Sequence, residues 1–89
     1  MVKMIKVLRI PFNGKPETIQ IEKNLESYQG LVGGMIELVY LNSNEDPESI
    51  MVVNEEGLIH NLLFNPIASE IVGRRIVGNA FIINQNDLD

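Results

Sequence analysis

Apolar and polar positions alternate with a period of two in the first segments of this chain, short continuous apolar runs follow later, and two short stretches switch to helical spacing. Lys3–Phe12 alternates first, putting Ile5, Val7 and Arg9 on one face and Met4, Lys6, Leu8 and Ile10 on the other. Period two is the signature of a strand. Pro11 and the turn-forming run Asn13-Gly14-Lys15-Pro16 end it. Glu17–Glu22 alternates again with Ile19 and Ile21 inward, so the two segments read as a β-hairpin with a longer loop. Met35–Leu41, Ile50–Val53 and Gly78–Asn84 supply further strands. Leu58–Leu62 is expected to return as a short strand after the turn Asn54-Glu55-Glu56-Gly57, where Gly57 suits a positive φ. Asn42–Ser49 reads as a polar loop and Gln85–Asp89 as a frayed end.

Helical spacing appears at Leu25, Tyr28, Leu31 and Val32. Asn24 precedes them with a side chain suited to accept from a free first-turn N–H. Glu26 sits where the helix dipole favours an anion. Gly33 suits the left-handed residue that closes a helix, because it has no Cβ to clash. Gly30 inside the run costs up to about 1 kcal/mol against Ala, which points to close packing or an early end. A second cap, Asn65 followed by Pro66 at the first helical position, opens a shorter helix. Its expected apolar face is Ile67, Ile71 and Val72, and Gly73 closes it. The expectation is therefore one α+β domain over residues 1–89: a mostly antiparallel sheet of about five strands, with one main helix and one short helix packed on one side.

Composition narrows the chemistry. Hydrophobic residues make up 45% of the chain, enough for a modest core in 89 residues. With no cysteine, thiolate catalysis, disulfides and Cys-based zinc sites are excluded. The alternating start is unlike a signal peptide, and no apolar run nears the ~18 residues of a membrane span, so a cytoplasmic location without membrane is expected. A net charge of −5 argues against nucleic acid as partner, since that role needs a cationic face. The acidic run Asn44-Glu45-Asp46-Pro47-Glu48 reads as a solvated loop.

Leu31-Val32-Gly33-Gly34-Met35-Ile36-Glu37, Asn54-Glu55-Glu56-Gly57, Asn65 and the late strand Gly78–Phe81 occur together in that order. In this the chain resembles a family of small domains of unknown function found in phages, plasmids and mobile elements, the domain-of-unknown-function family 3846. The similarity runs over nearly the whole chain, with Met35 where the family more often has an aromatic residue. It implies the fold and a mobile-element origin, and it supplies no activity.

Chemistry-bearing residues are few. Asn54, Glu55, Glu56 and Asn65 form the main polar group, with His60 near in sequence; a turn with solvated carboxylates and a ligand or partner site are both open readings. General acid–base work would require environments that drive the two carboxyl pKa values apart. His60 is the only histidine, so no set of metal ligands converges on it. Gly33-Gly34 follows a helix, whereas a phosphate cradle needs glycines before one. Arg74-Arg75 is the one concentrated positive feature and suits either a solvated helix end or an anion clamp. We therefore expect no enzyme, no catalytic residue, no metal and no cofactor. The expected function is that of a non-enzymatic phage or mobile-element accessory domain that binds. Alternatives are a sponge for an anionic, nucleotide-like ligand held by Arg74 and Arg75 and read by Asn54 and Asn65, and an inhibitor of a host protein through an acidic surface. A homodimer through an exposed strand edge, with Lys3–Ile10 as the edge, is a further expectation.

Overall fold

Five strands form one antiparallel sheet in the computed structural model, which describes residues 2–41 and 47–88. They are β1 (Met4–Ile10), β2 (Glu17–Glu22), β3 (Ile36–Tyr40), β4 (Ser49–Asn54) and β5 (Ala80–Asn84). Helix α1 (Leu25–Val32) lies between β2 and β3, and α2 (Pro66–Val72) between β4 and β5. The α+β class and the five-stranded sheet are as the sequence predicts. Residues 42–46, which carry most of the expected polar loop and of the acidic run, lie outside the described residues.

The spatial order is β2-β1-β5-β4-β3. The last strand therefore lies in the centre, and β1 is paired on both sides, with Val7 opposite Ile19 of β2 and Leu8 opposite Ile82 of β5. Lys3–Ile10 is thus not an edge. β5 takes the central place because Ala80, Phe81 and Ile83 are almost wholly buried, and only a central strand has both faces covered. The edges are β2 and β3.

Successive residues of the central strands feed two different cores, since side chains alternate across a strand. Ile50, Val52, Phe81 and Ile83 join Ile5, Val7, Tyr28 and Val32 in one. Met51, Val53 and Ala80 join Ile10, Val39, Ala68 and Ile76 in the other. Helix α1 belongs to the first and α2 to the second, so the helices cover opposite faces and not one. The continuous apolar run Ile50–Val53 requires this, because a single covered face would leave half of it in water.

Both helices begin and end as their caps dictate. Asn24 Oδ1 accepts from Ser27 N at 2.8 Å, and Gly33 closes α1 at φ 80°. In α2, Gly73 plays the same part at φ 73°. Which residues face inward differs in part: Leu25 and Ile71 are exposed, and Ala68 is the buried residue of α2. Burying a full Val or Phe side chain contributes roughly 1.5–3 kcal/mol. α2 buries only an alanine completely, so its attachment rests more heavily on polar contacts.

One stretch expected to be frayed is ordered, and one expected strand is missing. Gln85–Leu88 is a 3₁₀ turn whose Asp87 carbonyl accepts from Tyr28 Oη at 2.6 Å, with Leu88 on the α1-side core. Leu58–Leu62 forms no strand. It coils in successive turns, with His60 N donating to Glu56 O and Leu62 N to Gly57 O, and with Asn61 left-handed at φ 56°. Local backbone bonding is satisfied inside the turns, which leaves no ladder to offer β4.

Candidate functional site

The glycine pair and the Asn-Glu-Glu-Gly turn meet in space. Asn54 ends β4 beneath the exit of α1, and its Nδ2 donates to Val32 O at 3.0 Å. Its Oδ1 accepts from Glu56 N at 2.8 Å and so shapes the turn. The main chain seals the junction through Glu55 N, which donates to Met35 O at 2.8 Å. Gly57 is not left-handed, contrary to expectation. Its need for glycine is steric, because a Cβ there would stand 2.8 Å from Val77 Cγ2.

Asn65 is more deeply committed. Wholly buried, it donates from Nδ2 to Ile10 O and Gly78 O, both at 2.9 Å, and accepts from Ala68 N at 3.0 Å. Both amide hydrogens are used, so one side chain caps α2 and ties it to the end of β1 and to the approach to β5. Ser69 adds a second polar attachment from within α2, its Oγ accepting from Ile76 N at 2.7 Å and donating to Ile76 O at 3.2 Å.

Of the sequence-derived site residues, Asn54, Glu55, Glu56, Arg74 and Arg75 line one open cleft of about 280 Å³, and Asn65 is not among its walls. Glu37, Leu58 and Ile59 line it as well. Arg74 Nη2 donates to Glu37 Oε2 at 3.4 Å. Arg75 holds its guanidinium 5.4 Å from the centre of the Phe64 ring, a cation–π contact. His60 reaches only to 4.0 Å from Glu56, and both are solvated. Among the described residues, no buried side-chain nitrogen or oxygen lacks a partner, and no group of three or more His, Asp and Glu is placed to hold a metal.

Sequence reasoning missed the apolar character of this face. Leu58 and Ile59 are 71% and 74% exposed, and Leu63 and Phe64, a few residues further along the chain, are exposed as well. Reading Leu58–Leu62 as a strand hid Leu58 and Ile59, since a strand would have buried alternate members. The signal available was the mixed run His60-Asn61 inside the apolar stretch, which breaks the alternation. Glu37 was unreadable as a partner of Arg74, because 37 residues separate them and only the sheet unites them.

A family model matches residues 5–89. The chain belongs to the family Domain of unknown function (DUF3846). The match spans the Gly33-Gly34 junction, the Asn54–Gly57 turn and Asn65 alike, so the DUF3846 assignment covers both polar locks and the cleft. No curated protein and no solved structure matches the chain. Among the described residues, no helix is long and apolar enough to cross a membrane.

Proposed function

We propose that this DUF3846 domain is a non-enzymatic binding domain, an accessory protein of a phage or mobile element that engages a protein partner through the Glu55–Phe64 turn segment and the adjoining cleft. One observation carries the reading: an ordered, internally hydrogen-bonded segment holds Leu58, Ile59, Leu63 and Phe64 in solvent. Apolar side chains held in solvent beside polar groups mark an interaction surface. Glu55, Glu56 and the Glu37–Arg74 pair supply those polar groups, and their acidic members suit a cationic partner surface. The amides of Asn54 and Asn65 serve the fold and do not enter the proposed contact.

The anion-sponge reading rests on Arg75. Among the described residues no carboxylate pairs with it, and its guanidinium lies 5.4 Å from the Phe64 ring centre. Against this, Glu55 and Glu56 line the same cleft and Arg74 is already neutralised, so the balance of charge favours the protein partner.

Affinity purification from the native host separates the two. Tagged wild type and Gln20→Asp should retain one stoichiometric partner that Ile59→Asp loses. Failure of every tagged form to hold a partner, together with a nucleotide-induced thermal shift abolished by Arg75→Ala, would replace this reading with the sponge.

A further inference from the structure

The two free edges of the sheet are chemically unlike. In β2 the backbone groups of Ile19 and Ile21 point at β1, as the Lys23 N to Lys3 O bond fixes by its parity, so Thr18, Gln20 and Glu22 offer theirs outward. Their side chains are polar and exposed, a common way to blunt an edge. In β3 the bond from Glu55 N to Met35 O turns Met35, Glu37 and Val39 toward β4. Ile36, Leu38 and Tyr40 therefore turn N–H and C=O groups outward, and no strand among the described residues pairs with them. Their side chains lie on the α1 face, where Leu38 is 45% and Tyr40 75% exposed.

We infer that β3 is the seat of a symmetric homodimer, in which two copies join edge to edge into one continuous antiparallel sheet. The strand complements itself. A two-fold axis at Leu38 sets Leu38 against its own copy and Ile36 against Tyr40, and each pair exchanges both of its N–H···O bonds. All these residues are apolar and share one face, so pairing buries them together. Tyr40 of the second copy then lies over Ile36 and the groove formed by Leu25, Leu38 and Leu88, with Lys23 and Asp87 at the rim to meet its hydroxyl. On the opposite face each Glu37 falls against Val39, and Arg74 holds the Glu37 carboxylate at 3.4 Å, which mutes repulsion between copies. A second copy is thus the occupant for which this edge supplies the backbone register, the apolar match and the charge compensation at once.

Sedimentation of the full chain over a concentration series tests this. Wild type and Thr18→Asp should sediment as dimers at micromolar concentration, and Leu38→Asp and Tyr40→Asp as folded monomers. Because the chain has no cysteine, Leu38→Cys gives an independent reading: the paired Cα atoms would stand about 5.5 Å apart, within disulfide reach. Mild oxidation should convert Leu38→Cys to a covalent dimer and leave Gln20→Cys monomeric under the same conditions. A wild type that remains monomeric throughout the series, a dimer that survives both aspartates, or equal cross-linking at positions 20 and 38 would each overturn the inference.

Discussion

Gly34 and Asn54 are in contact: a Cβ at position 34 would stand 3.0 Å from the Asn54 Nδ2, the atom that donates to Val32 O. The two sequence motifs of this chain are therefore two halves of one joint. One supplies a bare backbone and a free helix-end carbonyl, and the other supplies the amide that fits against both.

Gly34→Ala should destabilise by about 1–3 kcal/mol, because the amide it displaces is buried and bonded at both ends. Asn54→Ala should lose about 2–3 kcal/mol through its two bonds. In the double variant the cost of Gly34→Ala should shrink, since the crowded atom is gone. Urea unfolding of the four proteins measures this coupling, and strict additivity would contradict the contact.

Asn65→Asp should be worse than Asn65→Ala. The aspartate keeps the cap on Ala68 but turns a carboxylate oxygen toward Ile10 O and Gly78 O, where two donated hydrogens had been. An unpaired buried charge costs several kcal/mol unless it neutralises, so Asn65→Asp should recover stability as pH falls through the carboxyl range and Asn65→Ala should not. Thermal melts between pH 7 and about pH 4 compare them.

Gly30→Ala should stabilise. Nothing lies within 4 Å of a Cβ at that site, so the substitution removes the glycine penalty in α1 and meets no neighbour. The expected gain is about 0.5–1 kcal/mol, read as a raised unfolding midpoint. A lowered midpoint would mean that position 30 packs against something.

Tyr28 should give the domain an alkaline limb. Burial, and secondarily the Asp87 charge, holds its hydroxyl above the ordinary value of 10.0. The unfolded chain then loses this proton first. The contribution is complete below about pH 10 and is lost as pH rises toward the folded value. Tyr28→Phe should be less stable at neutral pH by about 1 kcal/mol, the worth of the bond to Asp87 O, and should fall less steeply above pH 10.

Local signals specified much of this protein. Asn24, Asn65, Pro66, Gly33 and Gly73 mark both helices almost to the residue, because capping is chemistry between neighbours in sequence. Ile19 and Ile21 marked their strand and its inward face by period two, whereas Lys3–Ile10 marked a strand with two mixed faces, and Ile5, Val7 and Ile10 are all buried. Asn54, Glu55, Glu56, Arg74 and Arg75 could be singled out for their chemistry, and the fold does gather them around one cleft.

What the chain could not declare were relationships that depend on order in space. Pairing energies barely distinguish one apolar strand from another, so nothing in Lys3–Ile10 said that β5 would close its second side and leave β3 as an edge. Helix α2 went to the face opposite α1 because Met51 and Val53 needed cover, a demand visible only once the sheet exists. The sequence by itself set the elements and their caps. Tertiary structure decided that Asn54 and Asn65 would be spent inside the fold, since an amide's partners are whichever carbonyls packing brings within 3 Å of it.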